Sequence, residues 1–258
     1  MAGPGWLLAN TATITGRNLR RLVRVPTLIA FATVQPVMLV LLFNYAFGGA
    51  IHPPGVERYI DYALPGIYVV ALAFGGAQTS VAVAEDLASG MIDRFRALPM
   101  ARSAVLAGRI SADALRNLLV LALMTGVGYA IGFRFHAGAA AAVAAIGLAL
   151  AVGVAFSWVF ALLGLVVRNP ESAGVGGLLA AILLIFTSSA FVPVATFPGW
   201  LQAFAKLNPI TVTVDAIRAL TLGGPTATVA WQAVTWIGGL LAVTVPAAVI
   251  RYRRVTVT

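Results

Sequence analysis

The chain has 258 residues, 60% of them hydrophobic and 10% charged, with a mean hydropathy of +0.96. A water-soluble domain of this length cannot hide so much apolar surface, so soluble globular classes are excluded and lipid is the expected solvent. The net charge is +9, from 17 basic and 8 acidic residues, and cysteine is absent, which excludes disulfides, thiolate metal sites and thiol nucleophiles.

Residues 5–25, GWLLANTATITGRNLRRLVRV, read as an amphipathic helix on the membrane surface with Trp6 as an interfacial anchor, or as a frayed basic tail. A hydrocarbon core about 30 Å thick needs roughly 20 helical residues. Apolar runs of that order occur at 27–51, 63–84, 112–133, 139–167, 172–192 and 229–250. The first has no ionisable residue and exceeds the apolar region of a cleaved signal, so it is expected to remain as a span. Backbone groups in hydrocarbon must be paired within their own segment, so the spans are expected to be helices. The expected fold is an all-α integral membrane protein, a single transmembrane domain over 1–258 with six spans. Between the fifth and sixth spans, 193–228 is too long for a turn. Pro193, Pro198, Gly199 and Pro209 break it into short pieces, and Trp200 and Phe204 suit a membrane interface.

With six spans both termini share a side. That side holds thirteen basic residues, including Arg17, Arg20, Arg21, Arg24, Arg251, Arg253 and Arg254, against four on the other (Arg58, Arg134, Lys206, Arg218). The positive-inside rule places the termini and residues 85–109 in the cytoplasm. The basic excess is thus expected to serve anionic membrane lipids, with no nucleic-acid partner.

A phosphate-binding loop needs a lysine after a glycine run, and the single lysine, Lys206 in AFAKLNP, has none. No ATP or magnesium site is expected in this chain. His52 and His136 have no companions at metal-ligand spacing, and no serine sits in GxSxG, so no metal and no catalytic residue is expected. Asp113 and Arg116 lie at the start of the third span, and the centres of all six are uncharged. Ion-coupled transport normally keeps an ionisable residue in mid-membrane, so any energy should come from a partner. Polar residues inside apolar spans are the candidates for lining a pathway: Gln35 and Asn44, then Gln78, Thr79 and Ser80, then Thr187, Ser188 and Ser189. Each either faces a conduit or bonds a neighbouring helix. So little charge suits hydrophobic or amphipathic cargo, such as lipids or lipophilic drugs.

Residues 85–109, EDLASGMIDRFRALPMARSAVLAGR, concentrate seven of the charges between the second and third spans. Leu87, Met91, Phe95 and Leu98 fall on one helical face, Gly90 loosens the middle, and Pro99 stops the helix. Two readings fit: a short amphipathic helix on the cytoplasmic side, or a solvated loop that happens to be helical.

The sequence E-D-x-x-x-G-x-x-D-R-F-R-A-L-P-M-A-R-S resembles the cytoplasmic loop of ABC type-2 exporter permeases, above all the daunorubicin-resistance branch of bacterial drug and lipid exporters. Three further stretches carry the same resemblance: QPVMLVLLFNYAFGGAI (35–51), RNPESAG (168–174) and FVPVATFPGWLQAFAKLNPITVTVDAIRAL (191–220). The resemblance implies that the helix in 85–109 is a coupling helix that docks on a separate ATP-binding subunit. Glu85, Gly90, Asp93, Arg94, Phe95, Leu98 and Pro99 match the family pattern. Phe95 and Leu98 would be the apolar anchors, with Asp86, Met91, Asp93, Arg94 and Arg96 around them. It also implies that 193–228 is an extracellular helical hairpin, with Pro198, Trp200, Phe204 and Pro209 shaping it. The implied protein is a permease of the bacterial plasma membrane that works with two ATP-binding subunits and a second permease copy, identical or paralogous. ATP and magnesium would be bound by the partner. The alternatives are an ATP-independent channel or secondary transporter, and a membrane scaffold without cargo.

Overall fold

The computed structural model describes residues 11–16, 26–51, 56–90 and 102–254. Every regular element among them is a helix. Besides a helical stretch at 11–16 and a 3-10 turn at Val194–Thr196, they are in chain order α1 (Pro26–Leu42) with a π-helical turn at Phe43–Phe47, α2 (Tyr59–Ala88), α3 (Arg102–Ala130), α4 (Gly138–Val167), α5 (Pro170–Phe186), α6 (Gly199–Leu207), α7 (Pro209–Leu222) and α8 (Thr226–Arg254).

Among the described residues, four helical stretches are long and apolar enough to cross a membrane: Tyr59–Ala88, Val105–Ala130, Gly138–Val167 and Thr226–Arg254. The apolar helices Thr33–Phe47 and Pro170–Phe186 are shorter. Two boundaries differ most from the runs read in the sequence. α3 begins at Arg102, ten residues before the third apolar run, because its charged first half packs on α2 rather than extending into a loop. α5 stops at Phe186 although hydropathy continues to 192, because the hydroxyls of Thr187 and Ser188 turn back onto the carbonyls of Leu183 (2.7 Å) and Ile185 (2.6 Å). Such local bonds compete with helix continuation.

α2 is the central element, and it packs most extensively on α4 and then on α5. Its Ala63, Leu64, Ile67 and Tyr68 are fully buried in the main core, joined there by Val152 and Phe156 of α4 and Ile210, Val214 and Ile217 of α7. The close fit depends on glycine: a β-carbon at Gly164 of α4 would collide with the Ser80 carbonyl of α2. A smaller core of Val83, Val105, Leu106, Ile110, Leu165 and Tyr252 joins α2, α3, α4 and α8 at the opposite end. Large apolar side chains remain on the outside, including Val175, Leu179 and Leu183 of α5 and Trp231 and Val243 of α8. That outward apolar surface is what a lipid-facing bundle presents.

Helix ends follow local chemistry. Arg168 closes α4 in the left-handed conformation (φ 64°), and Asn169 then caps α5 by accepting from Ser172 N at 3.0 Å, with Pro170 in the first turn. Asn208 caps α7 the same way, accepting from Ile210 N at 2.9 Å ahead of Pro209. Its amide nitrogen donates to the Leu184 carbonyl at 2.7 Å, so one side chain serves the start of α7 and the end of α5.

Candidate functional site

Two polar constellations stand at opposite ends of α2. The first lies where α2 and α3 lead into the charged loop. Asp86 Oδ2 is 3.0 Å from Arg109 Nη1, and both side chains are mostly buried. The same nitrogen approaches the Ala82 carbonyl at 3.4 Å. Further in, Thr79 Oγ1 donates to Asp113 Oδ2 at 2.8 Å, and Arg116 donates to the Gly75 carbonyl at 3.1 Å. Arg116 also pairs with Asp113 of its own helix at 3.4 Å. Tyr68 and Thr125 share a hydrogen bond at 2.7 Å higher still. Arg109, Asp113 and Arg116 recur at the spacing of one helix face, as do Gly75, Thr79, Ala82 and Asp86. The two antiparallel helices are therefore tied at successive turns by charge-assisted and hydroxyl bonds. In an apolar surrounding such groups need partners, and these side chains find one another, while Arg109 Nε is buried without a hydrogen-bond partner among the described residues. Thr15, in the helical stretch 11–16, adds a bond from its hydroxyl to the Gly108 carbonyl at 3.1 Å.

Of the residues expected to dock a partner, Glu85 is exposed, Asp86 is engaged with Arg109, and Gly90 adopts φ +65° just past the end of α2. That conformation favours glycine and gives the residue a role in ending the helix. Leu87, read on the docking face, packs against the smaller core. Met91, Asp93, Arg94, Phe95, Arg96, Leu98 and Pro99 lie outside the described residues.

The second constellation surrounds Arg218 of α7, which is 8% exposed. Its Nε donates to the Tyr62 carbonyl of α2 at 2.9 Å. Its Nη2 donates to the carbonyls of Ser189 (2.8 Å) and Ala190 (3.1 Å), and its Nη1 to Asp215 Oδ1 at 3.1 Å. The guanidinium carbon sits 3.6 Å from the centre of the Tyr62 ring. Asp215 also accepts from Ser189 Oγ at 2.8 Å. Sequence reading did not find this cluster, because most of its acceptors are backbone carbonyls. The available signal was Asp215 and Arg218 at i,i+3, the only charges between Lys206 and Arg251.

The polar residues proposed for a pathway divide into two groups. Gln35 on α1 and Gln78 on α2 are exposed, and Asn44 is half-buried in the π-turn, its carbonyl accepting from Gly48 N at 3.0 Å. The five hydroxyls bond within the chain. Thr79 meets Asp113, Ser80 reaches the Ala173 carbonyl of α5 at 3.0 Å, and Thr187, Ser188 and Ser189 bond as described. In the region 193–228, Pro198 caps α6, Pro209 starts α7, and Trp200, Phe204 and Leu207 form an exposed stripe on α6.

Residues 9–222 match the family model described as ABC-2 type transporter. The chain is 32% identical over 222 residues to a daunorubicin resistance ABC transporter permease protein of Streptomyces coeruleorubidus, covering 85% of this chain and 78% of that one. It is 26% identical over 248 residues to a probable doxorubicin resistance ABC transporter permease protein of Mycobacterium tuberculosis, covering 96% and 89%. A putative transport permease of Cyanophora paradoxa is 26% identical over 205 residues, covering 78% and 70%.

Proposed function

Since this chain belongs to the ABC-2 type transporter family, we propose that it is the permease half of an ATP-driven exporter for hydrophobic or amphipathic cargo. It is a multi-pass membrane subunit and not itself an enzyme; the ATPase activity of such transporters lies in a separate chain. The observation that carries the reading is the family match over residues 9–222, the stretch that includes the charged loop and the region before the last helix.

The loop between α2 and α3 is the docking element for the ATP-binding subunit. Phe95 and Leu98 are its apolar anchors and Glu85, Asp86, Gly90, Met91, Asp93, Arg94, Arg96 and Pro99 form its frame. Support comes from the roots of that loop, where the Asp86–Arg109 pair and the bonds above it hold α2 and α3 together. Two ATP-binding subunits, which bind the ATP and magnesium, and a second permease copy complete the assembly. The chain sits in a bacterial plasma membrane with both termini and the docking loop in the cytoplasm, as six spans built on α1, α2, α3, α4, α5 and α8. Residues 193–228 form the extracellular hairpin, with Trp200 and Phe204 of α6 at the outer interface. The relatives named for resistance to daunorubicin and doxorubicin favour a drug as cargo. Gln35, Asn44 and Gln78 are the preferred pathway-lining side chains, since the hydroxyls of Thr79, Ser80, Thr187, Ser188 and Ser189 are spent inside the chain.

The test is reconstitution into proteoliposomes with and without the cognate ATP-binding subunit. The complex is expected to hydrolyse ATP and respond to lipophilic compounds, while the permease alone moves nothing. Gradient-driven transport by the permease alone would overturn the reading.

A further inference from the structure

α2 is a 30-residue helix, about 45 Å long at the standard rise. One end is fixed to α3 through Asp86, Ala82, Thr79 and Gly75, beside the charged loop. The other end is fixed to something different. Tyr62 offers its carbonyl to Arg218 Nε and its ring to the guanidinium face. Gly66, one turn on, lies so close to the Ala190 carbonyl that a β-carbon would collide with it. Tyr59 Oη reaches the Phe191 carbonyl at 3.5 Å.

The segment from Thr187 to Phe191 is not α-helical, so its carbonyls lack intrahelical donors. At membrane depth such groups must be satisfied by protein. Arg218 satisfies two of them, at Ser189 and Ala190, while holding Tyr62 of α2 and Asp215 of α7 with its remaining nitrogens. A guanidinium presents its donors in a rigid planar fork, and an ammonium in the same place would reach fewer of these acceptors. One side chain thus joins three pieces of chain: the far end of α2, the break after α5, and α7.

We propose that Arg218 is a positioning residue for transport, a clamp through which displacement of α2 at its loop end is delivered to the segment 187–191 and α7 at its other end. The inference rests on the exporter reading above. α2 supplies a continuous strut because its loop half is cross-tied to α3, and the clamp makes the region before the last helix follow it. A purely structural arginine would also raise stability, but it would not govern how much cargo moves per ATP hydrolysed.

The experiment measures export and ATP hydrolysis by the full permease–ATPase complex in proteoliposomes, for the unaltered chain and for Arg218→Lys and Asp215→Asn. With Arg218→Lys, co-purification with the ATPase and basal hydrolysis are expected to persist, while cargo exported per ATP falls about tenfold, the scale of one lost charge-assisted bond. Asp215 is half-exposed and keeps an acceptor oxygen as Asn, so its variant should assemble normally and lose about threefold. If Arg218→Lys does not assemble, Asp215→Asn decides. Unchanged export per ATP in an assembled variant, or equal loss of export and hydrolysis, overturns the clamp. Failure of the unaltered complex to couple cargo to ATP would instead strike the exporter reading.

Discussion

Arg109 Nη1 lies 3.0 Å from Asp86 Oδ2, so an ion pair joins α3 to the last turn of α2 at the base of the charged loop. Both side chains are about 15% exposed, at 16% for Arg109 and 15% for Asp86, which places the pair between a screened surface contact and a fully desolvated one. Removing either partner leaves a mostly buried charge. Arg109→Ala or Asp86→Ala is expected to cost about 1–3 kcal/mol of stability. The single exchanges Asp86→Arg and Arg109→Asp should each destabilise and the double exchange recover part of the loss, as read from thermal unfolding of these three and the unaltered chain as a double-mutant cycle. Additive losses would mean that the two side chains do not interact.

The limits of the sequence are visible in this pair. The apolar runs reveal that helices of near-spanning length exist, because hydropathy is a property of each residue. Arg102 and Arg109 read as loop charges and Asp113 and Arg116 as charges at the start of a span, yet Arg109, Asp113 and Arg116 complete an interhelical ladder. Pairing is a property of two distant positions, and spacing on α3 alone does not reveal it. The stop of α5 at Phe186 was hidden for a related reason: residues 187–192 remain apolar or hydroxylic, and only the back-bonding of Thr187 and Ser188 ends the helix. Arg218 was counted only as a basic residue on the sparser side, because its acceptors at Tyr62, Ser189 and Ala190 are backbone atoms common to every residue. Asn208 was not read as a helix start, although an Asn-Pro pair before an apolar run carries that signal.

Phe95 is expected to be the deepest contact with the ATP-binding subunit. Phe95→Asp places a charge that must be desolvated in an apolar groove, at a cost of several kcal/mol. Co-purification with the ATPase should be lost while membrane insertion and yield of the permease stay normal. Retained association with full transport would remove the docking assignment.

Orientation is testable in a chain without cysteine. Thr196 is exposed in the region between α5 and α6, and Ser103 stands in the first turn of α3 at the opposite end of the bundle. With single cysteines at each position, an impermeant maleimide applied to whole cells should label the Thr196→Cys protein and leave the Ser103→Cys protein unlabelled. Labelling in the reverse pattern would place the termini outside.

Gln78 and Ser189 should separate pathway from scaffold. Gln78 is exposed on the one side of α2 that the bundle leaves uncovered, whereas Ser189 is buried and bonds the Asp215 carboxylate that Arg218 also holds. Gln78→Leu removes an amide without creating a void, so its effect on unfolding should stay within about 0.5 kcal/mol. If the amide faces cargo, the variant should change the degree to which lipophilic compounds stimulate ATP hydrolysis, and leave basal turnover alone. Ser189→Leu forces a larger apolar group into a packed polar cluster and orphans a carboxylate bond, so it should cost about 1–3 kcal/mol. Its basal and stimulated activities should fall together, in proportion to the protein that remains folded. A Gln78→Leu complex with unaltered cargo response would return that residue to the lipid-facing surface. A Ser189→Leu complex of normal stability and altered cargo response would move the pathway to the α5–α7 side.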